Sequence, residues 1–171
     1  MQKYLFLFTI SPVQSFIEQA RKTHDLFAGS RILSNLITYT MKQVEVKDKD
    51  VDFIFPTMEQ DSKPNRFIAI VHTDDMQQFG NDIQADVNDY FVETLGKEVI
   101  ALFEKDDAVI NKNSVREQLQ DFLKIYWVAN VYDEKANYPN QIKQLERNLG
   151  AVKNIRYFKQ FPEKGRKCSM N

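Results

Sequence analysis

One cysteine among 171 residues excludes an internal disulfide framework. Two histidines are too few to build a histidine-rich metal centre. Neither sign of charge prevails: 23 Lys and Arg face 24 Asp and Glu, for a net charge of -1. The surface as a whole is therefore no general polyanion binder, and any nucleic-acid role must be regional. No apolar run approaches the roughly 18 residues of a membrane span, the longest being of the length of Tyr4 to Phe8. No charged leader precedes the first strand-like segment, which sets the expectation of a cytoplasmic protein. What remains suffices for one domain of ordinary size, since 43% apolar residues supply a core and rule out a disordered chain.

Tyr4 to Ile10 is almost continuously apolar and too short for a good helix, as in a central strand buried on both faces. Ser11-Pro12-Val13-Gln14 combines a hydroxyl cap, a proline at the first helical position and a capping-box glutamine, so a helix is expected to start at Pro12. Apolar residues recur at helical spacing as far as Val44, interrupted at Ala28-Gly29-Ser30. The pattern predicts a bent pair of helices whose junction at Gly29 and Ser30 frees backbone N–H groups suited to an anion, or serves only as a cap. Val51 to Thr57 and Arg66 to Thr73 read as two strands joined by the polar loop Met58 to Asn65. Asp74 and Asp75 mark a helix start, and Phe79, Ile83, Val87, Tyr90, Phe91, Leu95, Val99 and Leu102 carry that helix to about Phe103. A shorter helix, Ser114 to Leu123, and a fourth strand, Ile125 to Tyr132, follow.

Strand, helix, strand, strand, helix, strand is the order of the α+β ferredoxin-like sandwich, here with additional helices. Tyr4, Phe6 and Phe8 share one side of the first strand and Leu5 and Leu7 the other, so both sheet faces are apolar. The second face is left either open to a partner or covered by the extra helices. The domain is assigned residues 1–140, and residues 141–171 a basic extension with eight Lys or Arg against Glu146 and Glu163. Lys153, Arg156 and Lys159, among Tyr157, Phe158 and Phe161, suit contacts to a single-stranded nucleic acid, and equally a solvated helix face.

Ile10-Ser11-Pro12-Val13-Gln14-Ser15-Phe16-Ile17, then Ala20 to Ser30, Leu33-Ser34, Pro64-Asn65-Arg66-Phe67 and Gly165-Arg166-Lys167-Cys168-Ser169 together resemble the first palm domain of the large subunit of type III-B CRISPR effector complexes. The resemblance implies a palm-like fold in an RNA-guided antiviral ribonucleoprotein, with the other subunits, guide and target RNA and an opposing palm domain as partners, and no membrane. It implies that the full-length subunit makes cyclic oligoadenylate from ATP with Mg or Mn, the metal being held by a Gly-Gly-Asp-Asp motif in the second palm. Gly29, Ser30, Asn65 and Arg66 are the nucleotide-binding candidates that it implies. It also makes Cys168 an orphaned ligand at a truncated zinc-module entry, since Asn171 stands where a second cysteine is expected. His24 departs from the arginine usual at that position. The chain matches the first palm alone, as expected of a fragment or of a split or truncated gene.

Two-metal phosphoryl chemistry needs carboxylates on both ions. The end of the first strand reads Thr9-Ile10-Ser11, and the loop between the second and third strands reads Glu59 to Asn65 with neither Gly-Gly nor paired Asp. No catalytic or metal-ligating residue is therefore expected, and no cofactor for this chain alone. His24-Asp25 lacks companions for a phosphohydrolase centre, and His72, at the end of a strand, reads as structural. An RNA-binding module with the same strand order, stacking bases on sheet aromatics and using the basic tail, is the competing reading.

Overall fold

The computed structural model describes residues 1–11, 23–104 and 112–155. Its core is a four-stranded antiparallel sheet in the order β2-β3-β1-β4, formed by β1 (Gln2–Ser11), β2 (Asp52–Phe55), β3 (Arg66–Thr73) and β4 (Lys124–Val131). β1 lies inside, with Phe6 opposite Ala69 of β3 and Ala129 of β4. Its unbroken apolar run, buried from Leu5 to Ile10, is what a central strand covered on both faces requires. This is the expected α+β arrangement, a ferredoxin-like palm fold.

Period-two alternation sorts the side chains. Phe6, Phe8, Ile10, Phe67, Ala69 and Val71 join the larger core, and Leu5, Leu7, Ile68 and Val128 the smaller one on the opposite face. The larger core is covered by α1 (Thr23–Lys47), through Leu33, Leu36, Ile37, Met41 and Val44, and by α2 (Met76–Asp89), through Phe79, Ile83 and Val87. α2 starts as expected: the Asp75 carboxylate accepts the Gln78 N–H at 2.9 Å. α2 approaches β4 closely at Gly80, where an added Cβ would lie 2.4 Å from the Trp127 ring.

Several expectations are corrected. No junction exists at Gly29 and Ser30: α1 passes through both without a break. Gly29 is buried, and the helix's apolar stripe is packed on the sheet, which outweighs the roughly 1 kcal/mol that an interior glycine costs. The expected start at Pro12 lies outside the described residues. The long helix after Asp75 is divided by a π-helical segment, Tyr90–Leu95, before α3 (Gly96–Glu104). The wider turn shifts the apolar phase by one residue, so that Phe91 and Val92 are both buried while the half-buried Tyr90 stacks on Tyr39 with ring centroids 3.9 Å apart. α4 (Lys112–Phe122) packs on this segment through Phe122, stacked on Phe91.

The second sheet face is not open. α5 (Tyr138–Asn154), capped by the Asn137 side chain on the Asn140 N–H, lies over it and buries Leu145 and Leu149 against Leu5, Leu7, Ile68 and Val128. Ile142, Leu145, Leu149 and Val152 form its apolar stripe, and residue 141, where a C-terminal extension was expected to begin, falls in its first turn. Among the described residues no helix is long and apolar enough to cross a membrane.

Candidate functional site

The structure separates the expected nucleotide contacts. Gly29 and Ser30 sit within α1, on the large-core side of the sheet, where their N–H groups belong to the helix ladder and are not free to meet an anion. Asn65 closes the end of the β1–β3 ladder: its side-chain amide donates to the Ile10 carbonyl, and its own carbonyl accepts from the Ile10 N–H, both at 2.9 Å. The Thr9 hydroxyl donates to that same carbonyl at 3.2 Å. Arg66 lies on the opposite face from α1 and is paired with Glu146 of α5 at 2.9 Å. Asn65 and Arg66 are therefore tied into the sheet and α5, and Arg66 does not share a face with Gly29 and Ser30.

The loop between β2 and β3 is organised around a lysine. Lys63 is buried, with Nζ donating to the carbonyls of Met58 at 3.1 Å and Gln60 at 2.6 Å, while its backbone N–H donates to the Ser34 hydroxyl at 2.8 Å. An ammonium already satisfies the loop's carbonyl oxygens, and its charge repels a divalent cation. The residues present therefore do not fit the two-metal centre that a palm carries at this hairpin. Among the described residues, no three His, Cys, Asp or Glu converge as a metal-binding group.

The remaining titratable pairs hold the fold. Asp48 accepts the Asp50 N–H at 3.0 Å and the His72 N–H at 2.7 Å, with His72 Nδ1 at 3.2 Å, and so fastens the turn after α1 to β3. Asp75 is spent on its cap. Asp74 lies 3.6 Å from the chain's N-terminal amine. Lys97 and then Arg116 hold the Glu93 carboxyl below the usual range, joining the π-helical segment to α3 and α4. The His24 and Asp25 side chains, like Arg156, Lys159 and Cys168, lie outside what is described.

Phe6 and Phe8 offer no stacking platform for bases, because both are fully buried under α1 and α2. Accessible polar chemistry gathers instead at the outer edge of β4. An open groove of about 830 Å³ runs there between α2 and α5, lined in part by Gln77, Asn81, Gln84, Lys124, Tyr126 and Lys153. Lys153 Nζ sits 5.8 Å from the centre of the Tyr126 ring. Partial burial, and next the nearby Arg66 charge, push its pKa down. Of these residues only Lys153 was a candidate from the sequence. The amide row was nonetheless legible as the polar face opposite the Phe79, Ile83 and Val87 stripe, whereas nothing local marked Lys63 or Glu146.

No curated protein matches this chain. A chain in the cryo-EM structure of the Type III-B Cmr-beta bound to cognate target RNA matches with a TM-score of 0.61 at 17% identity, over 91% of this chain and 23% of that one. That likeness shows a shared fold, and the present chain spans about a quarter of the length of the other. The family described as CRISPR-associated protein Cmr2, N-terminal, matches residues 5–144. By that match, over most of its length, the chain belongs to the Cmr2 N-terminal family of CRISPR-associated proteins.

Proposed function

We propose that this chain is a non-catalytic palm domain of the large subunit of a type III-B CRISPR ribonucleoprotein, forming one wall of a composite ATP site and a scaffold for neighbouring subunits. The observation that carries the reading is the Lys63 ammonium, bound to loop carbonyls at the hairpin where an active palm needs paired carboxylates. In that arrangement ATP, divalent metal and the acidic motif come from the rest of the subunit. Family membership supplies the context, and the match to a chain of a Cmr-beta assembly bound to target RNA supports RNA among the partners.

The surface available to an opposing palm is the N-terminal part of α1, where Leu26, Phe27, Ser30 and Arg31 lie at helical spacing and are all exposed, Phe27 to 70%. Ser30 can thus meet a nucleotide through its hydroxyl, with Arg31 supplying positive charge one residue on. Arg66 and Asn65 are left to hold the sheet and α5 together. The test is incubation of the purified chain with ATP and Mg²⁺ or Mn²⁺, followed by chromatography for cyclic oligoadenylate. No product is expected; any product made by this polypeptide alone overturns the reading.

A further inference from the structure

We propose that the groove along the outer edge of β4, where Lys124 and Lys153 face the amide row Gln77, Asn81 and Gln84, binds the phosphodiester backbone of a single-stranded RNA. The inference deepens the RNA-partner part of the function proposed above and rests on it only for the choice of RNA as the ligand.

Charge is the first argument. Arg66, Lys124 and Lys153 all belong to the α5 side of the sheet, and Glu146, which acts on Lys153, is itself paired with Arg66. Among the described residues no carboxylate lines the groove, and neither Lys124 nor Lys153 has an ion-pair partner. This is a local excess of positive charge in a chain whose net charge is -1. Lys153 is held partly out of water beside a like charge, which disfavours its protonated form until an anion arrives.

Shape and polar lining are the second argument. The groove is an open trough of about 830 Å³ between two helices at the β4 edge of the sheet, with polar side chains on both walls. Gln77, Asn81 and Gln84 stand a turn apart along α2 on the wall away from α5, and Gln77 Nε2 donates to Asn81 Oδ1 at 3.2 Å. Side-chain amides both donate and accept, so they suit riboses and base edges without selecting one sequence. The lysines meet phosphates on the other side, and Tyr126, already beneath Lys153, fixes the ammonium in place.

The test is fluorescence anisotropy of the 171-residue chain with a labelled single-stranded RNA of about 10 nucleotides and mixed sequence, titrated over a range of salt. Each phosphate neutralised contributes about 0.7 to the slope of log K against log salt for a single strand. The double variant Lys124→Ala with Lys153→Ala is expected to bind about tenfold more weakly at low salt and to lose about 1.4 of that slope. Lys153→Arg should retain binding, and Lys135→Ala, on an exposed turn away from the groove, should change neither quantity. Thermal unfolding of the variants should track the parent chain, since among the described residues neither lysine carries an ion pair.

Unchanged affinity and slope in the double variant, or equal displacement of the RNA by ATP, overturns the inference. So does an absence of RNA binding by the parent chain. None of these results bears on the non-catalytic reading, which the ATP incubation decides separately.

Discussion

On one face of the sheet, Phe6 meets Phe8, Phe67, Phe79 and Trp127 with ring centroids 5.9 to 6.3 Å apart, under two helices. On the other, four buried aliphatic residues of the sheet meet Leu145 and Leu149 of α5, fringed by the Arg66–Glu146 pair, the Asn130–Asn148 hydrogen bond at 2.8 Å and Lys153 over Tyr126. The first face is specified by ring packing, which tolerates little change in shape. The second is specified by a narrow apolar stripe plus polar ties, an arrangement that keeps cations near water and within reach of a ligand. The face held by ring packing and the face fringed by polar ties are thus opposite sides of the same strands.

This contrast is open to direct attack. Phe6→Ala removes the centre of the aromatic cluster and is expected to cost about 3 to 5 kcal/mol in urea unfolding, whereas Leu145→Ala, on the sheet-facing stripe of α5, is expected to cost about 2 to 3 kcal/mol. Equal losses would break the comparison. Glycine substitutions sharpen it with opposite signs. Gly80→Ala drives a methyl group into the Trp127 ring and should destabilise by about 1 to 3 kcal/mol, while Gly150→Ala on α5 meets nothing within 4 Å and should stabilise by about 0.5 to 1 kcal/mol, both read as shifts in the urea midpoint. The smallest effect belongs to the polar fringe. A double-mutant cycle on Arg66 and Glu146, both partly exposed, should give a coupling of about 0.2 to 1 kcal/mol that fades in high salt.

Where the sequence was legible, the signal was local. The apolar run of β1, the Asp75 cap and the Phe79-Ile83-Val87 stripe each occupy neighbouring residues, and the structure places each as expected. Gly29 and Ser30 misled because a glycine beside a serine resembles a helix boundary when the burial that holds α1 together is out of sight. The π-helical segment escaped for a related reason: its phase shift is set by the packing of Tyr90 on Tyr39 and Phe91 on Phe122. The basic charge from residue 141 onward hid the Leu145 and Leu149 stripe that docks α5.

By itself the amino-acid sequence determined the order of strands and helices as far as β4, and the lack of a carboxylate at the end of β1 and of paired Asp in the β2–β3 loop, since these follow from residue type and short-range periodicity. Tertiary structure alone decided that Arg66 would pair with Glu146 80 positions away, that Lys63 would be buried among loop carbonyls, and that Lys124 and Lys153 would share a groove with α2. Such meetings depend on sheet register and on which face a distant helix covers, and chain connectivity constrains neither until the core has formed.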